Sequence, residues 1–406
     1  MGSGVVKEVM KILGILLSFS FLAGEGISAE VATLDSKEGA IVFEVRSIPE
    51  GVPKKGHGKG AKEYGYRIPS LLTTQGGTVL AFCERRLGLH DHAQNDIVVK
   101  RSKDGGKSWG DEIIVFEDGM NSINDPLTVQ LSNGRVMMMF ARFPYGWHAR
   151  NAGWIKMAEK GYTDPSKNVL TFVTFSDDDG ESWSKPKDIS KSVKPRHWIN
   201  ANSPGAMIQI QKGKNKGRLI TPLWGALDEP GQKGRAWEIA VVYSDDFGET
   251  WRRTESRKDP EKGFPNECQV VEAANGDLVL IARNQGGDPK RKKSFSKDGG
   301  LSWSVLATDE TLPSVACMGS VVRGPKRGGG WDLYASFPSN RGRKDGQIAI
   351  SRDFGKSFEI RKIVKGDFGY STTQVSPDGK SLLCFYETDG YKVIRFIAIP
   401  FNELEK

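Results

Sequence analysis

Cysteine is scarce in this 406-residue chain: Cys83, Cys268, Cys317 and Cys384 stand far apart and in no metal-ligand spacing. The apolar runs around Cys83 and Cys384 read as strands holding buried free thiols rather than disulfides, although an exported protein could oxidise any pair that meets. Histidine is almost as scarce, at five residues, and the one close pair, His90 and His92, has no third ligand at a suitable spacing, so no metal centre is expected. No run after the first thirty residues approaches the roughly 20 apolar residues of a spanning helix, which argues against stable membrane insertion. No long helical run is found from Tyr66 onward. Acidic excess is absent as well, the formal charge being +8. The basic clusters Lys54-Lys55, Lys212 to Arg218 and Lys290 to Lys293 lack regularly interleaved aromatics and any recognised binding motif, so nucleic acid is not an expected partner. They read as solvated loops, or as a positive surface that steers acidic partners.

What is present begins with an export signal over residues 1–29. Lys7 and Lys11 precede an apolar run from Ile12 to Leu22, and small residues follow toward Ser28-Ala29. Cleavage near Ala29 is expected, although Ile27 occupies a position where a small residue is preferred, which leaves an uncleaved membrane anchor as the alternative. The product is expected to be periplasmic or secreted. Removing Lys7, Lys11, Glu8 and Glu25 leaves the charge at +8, so the basic character belongs to residues 30–406, read as a single domain.

Five copies of Ser-x-Asp-x-Gly-x-x-aromatic run through that domain: Ser102 to Trp109, Ser176 to Trp183, Ser244 to Trp251, Ser296 to Trp303 and Ser351 to Phe358. Their starts lie 74, 68, 52 and 55 residues apart, an array of supersecondary units. Asp and Ser bond nearby backbone amides and Gly supplies positive φ, the chemistry of a hairpin turn. Apolar segments such as Asp96-Ile-Val-Val-Lys100 and Ile239-Ala-Val-Val-Tyr243 precede the boxes, and Gly and Pro punctuate the chain. The repeat predicts an all-β, six-bladed β-propeller of four-stranded antiparallel sheets, one blade lacking a recognisable box. The stretch from Gly51 to Lys62 reads as a loop.

These repeats resemble the Asp boxes of sialidases, and four further segments carry the resemblance into chemistry. Tyr66-Arg67-Ile68-Pro69 is similar to the Arg-Ile-Pro motif of exo-sialidases. The resemblance implies that Arg67, Arg283 and Arg343 converge on the carboxylate of sialic acid, with Arg341 a competitor for the third place; guanidinium forks suit a planar anion better than lysine does. In Phe82-Cys-Glu-Arg-Arg86 and the following Asp91 to Asp96, Asp91 takes the place of the general acid and base, carried on a mobile loop. Asp96 is read as structural. Arg86, with Arg85 as the shifted alternative, and Asp125 of Asn124-Asp125-Pro126 are implied to line the region of the sugar's 4-position. Pro265-Asn266-Glu267 places Glu267 as the catalytic glutamate, while Glu272 reads as a strand-end carboxylate facing solvent. Tyr370 matches the nucleophile, and Glu387 the carboxylate that buttresses Arg67.

These implied roles fit together physically. A phenol with an ordinary pKa of about 10 is a poor nucleophile at neutral pH and needs a base such as Glu267. A neutral phenol also approaches an anomeric carbon flanked by a carboxylate without the repulsion a second carboxylate would suffer. Asp91 then serves the leaving oxygen and the incoming water. A tyrosine nucleophile is the known sialidase exception among glycosidases and is inherited from the resemblance. The resemblance implies an exo-α-sialidase acting with retention on sialylated glycoproteins, glycolipids and oligosaccharides, without metal or organic cofactor. Trans-sialylation and a non-catalytic glycan-binding propeller are the competing readings; Trp147 and Trp154 fit an acceptor site, an acyl pocket or simple core packing equally well.

Overall fold

β-Branched and aromatic residues recur in short alternating runs between Gly-, Asn- and Asp-rich turns, and these runs are the strands. The computed structural model describes residues 31–145, 169–194, 198–227, 236–255, 257–259, 263–286 and 288–405. The expected export signal, Trp147 and Trp154 lie outside the described residues. Helical pieces are short, as at Ser190–Val193 and Phe401–Leu404, and no helix among the described residues is long and apolar enough to cross a membrane.

The architecture is an all-β propeller. Antiparallel ladders follow one another along the chain, each starting with an inner strand: Glu63–Thr73, Ser122–Gln130, Pro265–Glu272, Ser320–Pro325 and Ser371–Val375 are such strands. The last ladder takes its outer strand, Ala40–Glu44, from the start of the domain, where it pairs with Val393–Pro400 and closes the ring. Hydrogen bonding does not divide this ring into the expected separate four-stranded sheets. Among the described residues it forms five sheets, of five, ten, six, four and four strands. The ten-stranded sheet arises because one parallel pair, Asn95 with Ser122, joins two antiparallel ladders, and Ala32–Asp35 adds a parallel fifth strand beside Glu359–Asp367.

The core lies in wedges between neighbouring ladders. Phe43, Phe385 and Phe396 pack on Tyr66, Val79 and Val98 where the ring closes, and Val271, Val279 and Ile281 meet Val321, Leu333 and Ala335 farther round. All four cysteines are buried free thiols within this packing.

The boxes hold the wedges. In each, the Ser hydroxyl donates to the Asp carboxylate and accepts from the Gly amide, as Ser102 does with Asp104 at 2.7 Å and Gly106 at 2.8 Å. A hydroxyl residue just before the aromatic, Ser108, Ser182, Thr250, Ser302 or Ser357, adds a bond to the same Asp. The aromatic side chain then enters the preceding ladder: Trp109 meets Phe396 at 5.3 Å and Trp183 meets Phe82 at 5.7 Å, both edge-on. Gly106 has φ 96°, and a Cβ there would lie 2.1 Å from the Phe396 ring. Gly106→Ala is therefore expected to destabilise the domain by about 2–4 kcal/mol through backbone strain and overpacking, measured as a lowered denaturant midpoint with unchanged slope.

Candidate active site

Three inner strands slip register against their second strands, between Arg67 and Ser70, between Asn124 and Leu127, and between Pro265 and Cys268. Such bulges bend a strand and re-aim its side chains. In two of them a residue before proline is forced into the left-handed region, Ile68 at φ 60° and Asp125 at φ 57°. A β-branched residue there is costly, and strain of this kind collects at functional sites.

Topology gathers the site on one end of the ring. In an antiparallel ladder the start of the first strand, the end of the second and the start of the third share an end. Arg67, Asp125 and Glu267 sit near first-strand starts, Arg86, Arg283 and Glu387 near second-strand ends, and Asp91 and Arg343 just before third strands. The boxes follow third strands and so lie at the opposite end.

One cluster surrounds Tyr370. Its hydroxyl lies 2.7 Å from both carboxylate oxygens of Glu267 and accepts from Arg283 Nη1 at 2.6 Å, while Arg283 also donates to Glu267 at 2.7 Å. Arg67 and Arg343 place their guanidinium carbons 5.5 and 5.1 Å from the Tyr370 ring centre. Buried Glu387 accepts from Arg67 Nε at 2.6 Å, from the Ile68 amide at 2.8 Å and from the Tyr370 amide at 3.1 Å. Burial opposes the charge on Arg67, but the Glu387 carboxylate holds its pKa above the ordinary arginine value. Burial pushes the Tyr370 phenol well above its usual pKa; Arg283 pulls it back less than burial raises it, and Glu267 adds to the rise. The phenol is thus neutral at rest, with the Glu267 carboxylate against its hydroxyl.

A second cluster centres on Arg86. It pairs with buried Glu84 at 2.5 Å and with Asp91 at 2.9 Å. Asn124 Nδ2 donates to the Asp91 carbonyl at 2.9 Å and to Glu84 at 3.2 Å, so the backbone of the Asp91 loop is pinned while its side chain stays 59% exposed. Partial desolvation would raise the Asp91 pKa, but Arg86, with Arg67 beyond it, holds the carboxyl below the usual range. Burial raises Asp125 well above its ordinary value, with the Glu84 and Glu267 carboxylates pushing the same way. The charges of Arg67 and Glu267 reaching Asp91 and Asp125 tie the two clusters together electrostatically.

The competing residues separate by strand alternation and exposure. Arg85 points away from Arg86 and pairs with Asp96 at 2.7 Å and Glu112 at 3.1 Å. Arg341 is 69% exposed and pairs with Asp345, whereas Arg343 donates to the Ala316 carbonyl at 2.9 Å and to Tyr391 Oη at 3.1 Å. Glu272 does not face solvent as expected: it is buried, pairing with Arg323 at 2.7 Å and capping the Gln211 and Lys212 amides. The His90 ring stacks on His57 and the His92 ring on Phe143, which uses the pair in packing. Sequence reasoning missed Glu84, Gln285 and Tyr391. Glu84 had a signal, since it shares a strand face with Arg86 two residues on; Gln285 similarly follows Arg283 by two and accepts from it at 2.9 Å.

The chain belongs to the family described as "BNR repeat-like domain", whose match spans residues 77–383 and so takes in most of the repeated boxes and ladders. Within it, the chain is similar to sialidases: 29% identical to that of Micromonospora viridifaciens over 82% of this chain and 51% of that protein. It is 31% identical to the anhydrosialidase of Macrobdella decora, over 80% of this chain and 58% of the relative. Among solved structures, a Hadza microbial sialidase superposes with a TM-score of 0.71 at 26% identity, covering 83% of this chain and 66% of that one. The chain thus spans about half to two thirds of the length of these relatives.

Glu387→Gln should be costly because an amide offers a donor where three donors already point, and it leaves Arg67 buried without its counter-charge. A loss of about 3–5 kcal/mol in unfolding free energy is expected, the range for breaking a buried pair, read from denaturant titration.

Proposed function

We propose that the chain is an exo-α-sialidase that releases terminal sialic acid from glycoconjugates with retention of configuration. The observation that carries this reading is the Glu267–Tyr370 pair set among Arg67, Arg283 and Arg343. Arg343 has no carboxylate partner among the described residues, which leaves a guanidinium fork for the carboxylate of the substrate.

In the proposed reaction Tyr370 Oη attacks the anomeric carbon as its proton passes to Glu267, and the glycosidic bond breaks with a proton going to the leaving oxygen from Asp91. Water, deprotonated by Asp91, then displaces Tyr370, which recovers its proton from Glu267. Asp91 must enter the first step protonated, so productive binding has to loosen its contact with Arg86, and a sugar hydroxyl engaging Arg86 would do so. Arg86 and Asp125 line that side of the sugar in this reading.

A six-bladed ring is supported by dividing the ten-stranded sheet at the single Asn95–Ser122 pair, which leaves two antiparallel ladders. Export is supported by Lys7 and Lys11 ahead of the apolar run. The name of the Macrobdella decora relative, an anhydrosialidase, favours a second reading in which a hydroxyl other than that of water ends the second step. Incubation with an aryl sialoside, with aryl glycosides of neutral sugars as controls, tests the first reading. Chromatography of the sugar released separates free sialic acid from an anhydro or transferred product.

Tyr370→Phe is expected to lower kcat by about 10³-fold or more while inhibitor binding survives, since only the nucleophilic oxygen is lost. Near-native turnover in that variant would remove Tyr370 from the nucleophile role. Asp91→Ala should lose about 10²–10⁴-fold on natural sialosides and under about tenfold on activated aryl sialosides, which need little protonation. Equal losses on both substrates would assign the acid elsewhere.

A further inference from the structure

Tyr391 lies in neither of the catalytic pairs, yet it touches two of the three arginines. Its ring centre is 4.3 Å from the Arg67 guanidinium carbon, and its hydroxyl accepts from Arg343 Nη1 at 3.1 Å. The backbone at Tyr391 is left-handed, φ 66°, a conformation a tyrosine adopts only when its surroundings impose it. It sits in the tight turn Asp389–Tyr391, between the strand that carries Glu387 and the closing strand Val393–Pro400, with Asp389 and Gly390 also at positive φ. Gly390 and Asp389 in this turn are themselves anchored, Gly390 by its amide to Asp367 and Asp389 to Arg395.

Arg67 and Arg343 have very different supports. Glu387 neutralises Arg67 directly. Arg343 has the Ala316 carbonyl and the Tyr391 hydroxyl. Two guanidinium groups that both face the Tyr370 ring repel one another, and nothing but an arriving anion would bring them together unless they are held in advance. An aromatic face attracts one cation, and a phenol oxygen accepts from the other. We infer that Tyr391 is a positioning residue that preorganises Arg67 and Arg343 for the substrate carboxylate, so that binding does not have to pull them into place. This inference rests on the sialidase reading above. The strained turn fits the same account, because the left-handed backbone is what turns the ring toward both guanidinium groups.

Two variants separate the ring from its hydroxyl. Tyr391→Phe keeps the face over Arg67 and loses the bond to Arg343. Tyr391→Asn tolerates the left-handed backbone and loses both. The readouts are kcat and KM on an aryl sialoside, the Kd of a planar dehydrated sialic acid analogue by calorimetry, and the thermal midpoint. The expected result is graded: analogue affinity and KM weaken about threefold in Tyr391→Phe and about tenfold or more in Tyr391→Asn, with kcat within about threefold of the parent and the midpoint little changed. A structural role alone would lower the midpoint without this split. Parent-like KM and analogue affinity in both folded variants would overturn the inference, as would a fall in kcat at unchanged KM. If Tyr391→Asn fails to fold, Tyr391→Phe decides by the same threefold criterion. Failure of the parent protein itself to cleave the aryl sialoside sinks the sialidase reading instead, a distinct outcome.

Discussion

A single buried carboxylate joins the first and last ladders of the domain at the candidate site. Glu387, on the last ladder, takes bonds from Arg67 and Ile68 on the first and from the backbone of Tyr370 beside it. Residues more than 300 positions apart are fixed to one another here. The contact that sets Arg67 is also one that ties the ring shut, alongside the apolar wedge of Phe43, Phe385 and Phe396. In a ring of sheets each interface depends on the others, and losing either partner of a charge pair that bridges the closure leaves the other buried without its counter-charge.

Positive charge is the second constraint. Arg67, Arg86, Arg283, Arg291 and Arg343 are all drawn inward, and each needs an answer in a region where isolated charges are costly. Glu387, Glu84 and Glu267 answer three of them. Arg291 is held by the Cys317 carbonyl, and burial lowers its pKa to about 10. Arg343 is left with neutral acceptors. An end of the ring where the Arg343 guanidinium has no carboxylate partner among the described residues is suited to an anionic ligand, and the neutral Tyr370 phenol at its centre adds no negative charge to repel one.

Backbone strain marks the same place. Ile68, Asp125 and Tyr391 all adopt left-handed conformations within the site, and the first two precede prolines in strand bulges. Regular strands alternate their side chains between faces, which would send some of these groups into the wedges between ladders. The bulges break that alternation locally and turn the charged groups toward the end of the ring.

The repeats, the turn chemistry of the boxes and the strand runs were legible from the sequence because they depend on neighbours within about eight residues. The site residues Arg67, Glu267 and Tyr370 were legible only through resemblance, since nothing local makes one arginine or tyrosine differ from another. The six separate sheets expected from the repeat were not what the hydrogen bonding forms, because the Asn95–Ser122 pairing depends on how two ladders meet. Glu272 is buried although its place at a strand end points to solvent, because its partner Arg323 comes from the next ladder. Tyr391 went unnoticed for the same reason: its meaning lies in Arg67 and Arg343, 324 and 48 positions away. Short-range hydrogen bonding and periodicity determined the strands and boxes, whereas burial and charge pairing across the closed ring, which exist only once distant ladders pack together, decided which of the many charged residues form the site.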